Sequence, residues 1–90
     1  MVHYISDEVR KRAGFCVYWL RKQGLWVVRV EGSESIPRIV VRESPLCEKF
    51  EGIVEGFLRD KNGEQRYRMV YRLDCEIRWV TEMRHEGGVQ

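Results

Sequence analysis

From Arg66 to Val80 the chain alternates almost without a break. Tyr67, Met69, Tyr71, Leu73, Cys75, Ile77 and Trp79 occupy every second position. Arg66, Arg68, Val70, Arg72, Asp74, Glu76, Arg78 and Val80 fall between them. Successive side chains of a strand point to opposite faces, so this period predicts a strand packed on a core from one side. The set containing Cys75 is expected to face inward, and the arginines outward. The run is longer than a usual strand, so a bend or break is expected near Leu73-Asp74.

A second period appears at the start. Val9, Ala13, Cys16, Val17 and Leu20 recur at spacings of three and four, which predicts an amphipathic helix over about residues 7–23. Ser6 is placed to cap it, Asp7 and Glu8 favour the positive end of its dipole, and Arg21-Lys22-Gln23-Gly24 carries the cations and glycine of a helix end. Phe15 and Trp19 widen the apolar stripe, and Tyr18 lies almost opposite it, close to Lys11 and Lys22.

Residues 25–31 and 36–42 are rich in β-branched side chains and read as a hairpin around the loop 32–35. Pro37 belongs at a strand start or edge, because it cannot donate to a ladder. For the stretch 45–59 a helical turn near 45–49 and a strand from about 50 to 59 are expected. A second helix over about 45–59 is the alternative, opposed by Gly52 and Gly56. Asp60-Lys61-Asn62-Gly63 reads as a turn between strands. The expected fold is α+β: an N-terminal helix across an antiparallel sheet of four or five strands. With the second helix the order becomes α-β-β-α-β-β. One domain should span residues 1–83, with a frayed tail over 84–90.

The chain has 90 residues, 43% hydrophobic and 33% charged, which suits one soluble globular domain. No apolar run reaches the ~20 residues of a membrane span, and the first residues lack a signal-peptide pattern, so a cytoplasmic protein is expected. Three cysteines, Cys16, Cys47 and Cys75, show no CxxC spacing, and His3 and His85 lie near the two ends. No metal site and no cofactor are expected from such a set. Cys16 and Cys75 should be buried and reduced, and Cys47, in the connection, the most accessible.

The serines stand at caps and loops, no phosphate-binding glycine loop occurs, and neither histidine belongs to a pattern, so no enzymatic activity is expected. Binding is the remaining class. Twelve of the sixteen basic residues are Arg, a side chain suited to carboxylates, phosphates and aromatic faces. The first reading is a non-enzymatic binding or regulatory protein. Its contact surface is the helix face around Lys11, Phe15, Tyr18, Trp19 and Lys22, and its partner another protein or a second copy. In size and composition the chain is similar to small accessory proteins of phages and mobile elements, including inhibitors of host defence. The second reading is nucleic-acid binding through Arg66, Arg68, Arg72 and Arg78 on one strand face. Asp74 and Glu76 on the same face, and a net charge of only +2, weigh against it.

Overall fold

The computed structural model describes residues 7–32 and 35–84. Ser6, both histidines and the tail beyond Arg84 lie outside the described residues. Helix α1 spans Asp7–Lys22, with Asp7 and Glu8 in its first turn and Arg21 and Lys22 in its last. Val9, Ala13, Cys16 and Leu20 are its buried residues, on the face that the spacing predicts. Gly24 ends it with φ +93°, a conformation that glycine adopts without steric cost. There Gly24 N–H donates to Arg21 C=O at 3.0 Å and Leu25 N–H to Leu20 C=O at 3.1 Å, which is a Schellman closure. Leu20 and Leu25 are both buried, so the closure is sealed by apolar contact.

The strands are β1 (Val27–Glu31), β2 (Arg38–Val41), β3 (Val54–Asp60), β4 (Gly63–Arg72) and β5 (Cys75–Arg84). They form one mixed sheet in the order β1-β2-β5-β4-β3. β1–β2, β3–β4 and β4–β5 are antiparallel, as expected, but β2 and β5 run parallel. The connection between Val41 and Val54 explains this. It crosses the helix-bearing face before entering β3 at the far edge, and a long crossover is what parallel strands need.

Along that crossover Pro45–Lys49 forms a short 3-10 turn, capped by Ser44, whose Oγ accepts from Leu46 N–H at 3.2 Å. The helical turn thus falls where expected, while the following strand starts later than the expected residue 50, at Val54. A second helix does not form, since Gly52 takes φ +83° and Gly56 lies within β3.

Cys47 is a correction: it is fully buried. The 3-10 turn brings residues three apart to one side, so Cys47 and Phe50 both turn toward the core. Cys47 Sγ donates to the Arg42 carbonyl at 3.8 Å.

The core lies between α1 and the sheet: Ala13, Cys16, Leu20, Leu25, Ile39, Val41, Cys47, Val70, Cys75, Ile77 and Trp79, with Leu46, Phe50 and Ile53 from the crossover closing its side. Helix α1 packs on β1, β2 and β5, leaving the outer strand β3 beyond its reach.

The long alternation is a hairpin, not one strand. Leu73 and Asp74, with φ of 55° and 60°, form a two-residue turn, and Arg72 stands directly opposite Cys75. Val70 pairs with Ile77 and Arg68 with Trp79, so even positions of β4 share a face with odd positions of β5. The expected single apolar face is therefore split. Cys75, Ile77 and Trp79 face the helix, while Tyr67, Met69 and Tyr71 lie on the opposite face of the sheet. An irregularity in the β5 register near Thr81 leaves β4 itself regular.

Candidate functional site

A helix advances 100° per residue, so positions 11, 15, 18 and 22 line one face. On α1 these are Lys11, Phe15, Tyr18 and Lys22. Phe15 is 62% exposed and Tyr18 60%, although the opposite face of the same helix is sealed into the core. Lys22 Nζ stands 5.4 Å from the centroid of the Tyr18 ring, a cation–π distance. Four of the five residues singled out from the sequence thus form one continuous aromatic row with a lysine at each end.

Trp19 has a different position. It is half-buried, and its ring centroid lies 6.3 Å from that of Phe50, which lies 5.9 Å from that of Trp79. The three rings run from the edge of the helix to the centre of the core and fasten the crossover to both layers. Trp19, four positions after Phe15, borders the exposed row.

The arginine set does not form one surface. Arg66, Arg68 and Arg72 share the helix side of β4, whereas Arg78 lies on the other face, because the two-residue turn exchanges odd and even positions. Each is engaged within the chain. Arg66 faces Glu82 at 3.5 Å and lies over the Phe57 ring. Arg68 meets Glu48 at 2.5 Å and Glu55 at 3.6 Å. Arg72 donates to the Glu51 carbonyl at 2.7 Å and covers the Phe50 ring. Arg68 and Arg72 thereby hold the crossover against β4.

Arg78 belongs to a ladder of charges on the open face. Arg29 Nε donates to Glu31 at 2.6 Å, Arg38 bridges Glu31 and Glu76 at 3.1 Å each, and Arg78 Nε donates to Glu76 at 2.7 Å. The Arg78 guanidinium then lies 3.8 Å from the Tyr67 ring centroid. Burial works against the Glu31 carboxylate, but its bonds to Arg29 and Arg38 outweigh that and hold its pKa below the usual value. The ladder joins β1, β2, β5 and β4 and shields Val40 from water. The sequence shows these residue types but not their adjacency, which depends on the parallel β2–β5 register.

Beyond the ladder the open face is apolar. Val54, Leu58, Tyr71 and Met83 are each about half exposed there. Alternation within β3 and β5 was the available signal, and it becomes readable only once the turn at Leu73-Asp74 is placed.

Burial pushes the Cys16 thiol up to about 12, with a further rise from Cys75 beside it. Burial raises Cys47 and Cys75 as well. Such thiols are poor nucleophiles. Among the described residues no cluster of three or more His, Cys, Asp or Glu is placed to hold a metal ion. No helix among them is long and apolar enough to cross a membrane.

No protein-family model, curated protein or solved structure matches the chain.

Proposed function

We propose that this chain is a non-enzymatic binding protein, of a regulatory or accessory kind, that engages another protein through the outer face of α1. The observation that carries this reading is the exposure of Phe15 and Tyr18 between Lys11 and Lys22 on a helix whose other face is fixed in the core. Aromatic rings on a rigid support bury large area at small entropic cost, and flanking cations steer an acidic surface into register. The partner is therefore a protein surface carrying carboxylates around an apolar recess.

The test is capture on the immobilised chain, followed by titration with the purified partner. Tyr18→Glu should weaken binding at least about tenfold, since it puts a charge at a desolvated centre, while the circular dichroism spectrum stays unchanged. An affinity unmoved by Tyr18→Glu and by Phe15→Ala removes the helix face from the reading.

Nucleic-acid binding is separated from this by salt. About four phosphate contacts give a log–log slope near −3 to −4 on duplex DNA. The division of the arginines between two faces, and their carboxylate and ring partners, favour the protein reading.

A further inference from the structure

Among the described residues, strand β3 is an outer strand of the sheet and pairs with β4 on one side only. It is seven residues long, its register with β4 is free of irregularity, and every residue in it except Gly56 is exposed. Long, regular edges are templates for a further strand, and proteins usually blunt them with bulges, proline, charged side chains or a covering loop. β3 has no proline and no bulge.

Which backbone groups reach that edge follows from the turn at Leu73-Asp74. A two-residue turn closes on a hydrogen-bonded pair, here Arg72 with Cys75. In β4, then, the even residues bond toward β5 and the odd residues toward β3. Tyr67, Met69 and Gln65 face Gly56, Val54 and Leu58, so the even residues of β3 are occupied. The N–H and C=O groups of Glu55, Phe57 and Arg59 point away from the sheet.

The sequence of this edge is self-complementary. Two antiparallel copies pair outward residues only with outward residues. When Phe57 stands opposite Phe57 of the second copy, Glu55 stands opposite Arg59 at both ends. This register uses all three outward residues of each strand. It also extends charge rows already present. Arg68 lies beside Glu55, and Arg59 is paired with Glu64. Across the junction the row reads Arg68, Glu55, Arg59, Glu64, alternating in sign from one sheet into the next. The central row reads Arg66, Phe57, Phe57, Arg66, with Arg66 already 5.4 Å from the Phe57 ring centroid. On the other face Leu58 comes beside Gly56 of the second copy, over which the Tyr67 ring lies.

We propose that two copies of this chain pair antiparallel along β3, about a twofold axis at Phe57, joining two five-stranded sheets into one. The interface lies at the opposite edge from α1, which packs on β1, β2 and β5, so both helix faces remain free in the dimer. The inference does not rest on the protein-binding reading of α1.

Charge reversal tests it. Arg59→Glu sets two glutamates against each other in the homodimer, and Glu55→Arg sets two arginines. Each should weaken self-association at least about tenfold in sedimentation. A mixture of the two variants places opposite charges at both ends and should recover the dimer. Recovery also shows that both variants fold. In the unmodified chain, the amides of Glu55 and Phe57 should exchange rapidly when dilute and become protected as concentration rises. Tyr18→Glu should leave the dimer intact, which separates this result from the fate of the helix reading. An unmodified chain that stays monomeric at about 1 mM overturns the proposal. So does a dimer indifferent to both charge reversals, one that mixing fails to restore, or one whose Glu55 and Phe57 amides exchange freely.

Discussion

The thiols of Cys16 on α1 and Cys75 on β5 lie side by side, and Cys75 Sγ donates to the Arg12 carbonyl of the helix at 3.7 Å. The pair sits where helix and sheet meet, and both residues are fully buried. A weak polar contact thus joins helix and sheet inside the core.

Thiol reactivity follows from this placement. Ellman's reagent should modify none of the three cysteines rapidly in the native protein, and all three on unfolding. Cys47 should behave like the other two, because it is as inaccessible as they are. One thiol reacting at the rate of a free model thiol in native buffer would show that the crossover does not seal the core.

Alkali should destabilise the fold. The ordinary thiol value is 9.0, and Cys16 in the folded protein is raised to about 12. Below the ordinary value both states hold the proton and the contribution is fully present. Above it the unfolded chain loses the proton first, so stability falls as pH rises toward the folded value. The expected slope is about 1.4 kcal/mol per pH unit for Cys16. Urea midpoints measured from pH 8 upward should decline, and Cys16→Ala should flatten the decline.

The turn at Leu73-Asp74 should be improvable. Both residues hold positive φ, a region that suits Asn and Gly far better than Leu. Leu73 is 39% exposed, so replacing it removes little packing. Leu73→Asn with Asp74→Gly should stabilise the protein by about 1–2 kcal/mol. Calorimetry should show a higher Tm, and an unchanged or lower value would count against this turn geometry.

Gly56 and Tyr67 should be energetically coupled. They are direct cross-strand partners, and a methyl group at position 56 would overlap the Tyr67 ring. Gly56→Ala should cost about 1–3 kcal/mol through overpacking. With Tyr67→Ala present the same change should cost much less, because the ring is gone. A double-mutant cycle by chemical denaturation measures the difference. Additive effects would mean that the ring does not depend on the bare backbone beneath it.

Helix α1 was legible in the sequence because its determinants are local. The spacing of Val9, Ala13, Cys16 and Leu20, the acidic first turn and Gly24 all act within a few residues of one another. The same period placed Tyr18 opposite the core, whereas Phe15, read as widening the apolar stripe, is exposed beside it. The 3-10 turn and strand over 45–60 were also readable, from Ser44-Pro45 and the two glycines. Which side each strand shows to the core is instead set by contacts that form only in the folded chain. Two residues of turn leave the odd–even rhythm of the sequence unbroken while the chain reverses, and Leu73-Asp74 lacks the Asn-Gly signature that would mark such a turn. Tyr67 and Ile77 therefore share a rhythm but not a face, and Arg78 parts from Arg66, Arg68 and Arg72. The burial of Cys47 and the parallel β2–β5 pair have the same origin. Both depend on where the crossover lands, and that is set by the apolar surface that α1 and β5 leave uncovered, a contact between segments far apart in the chain.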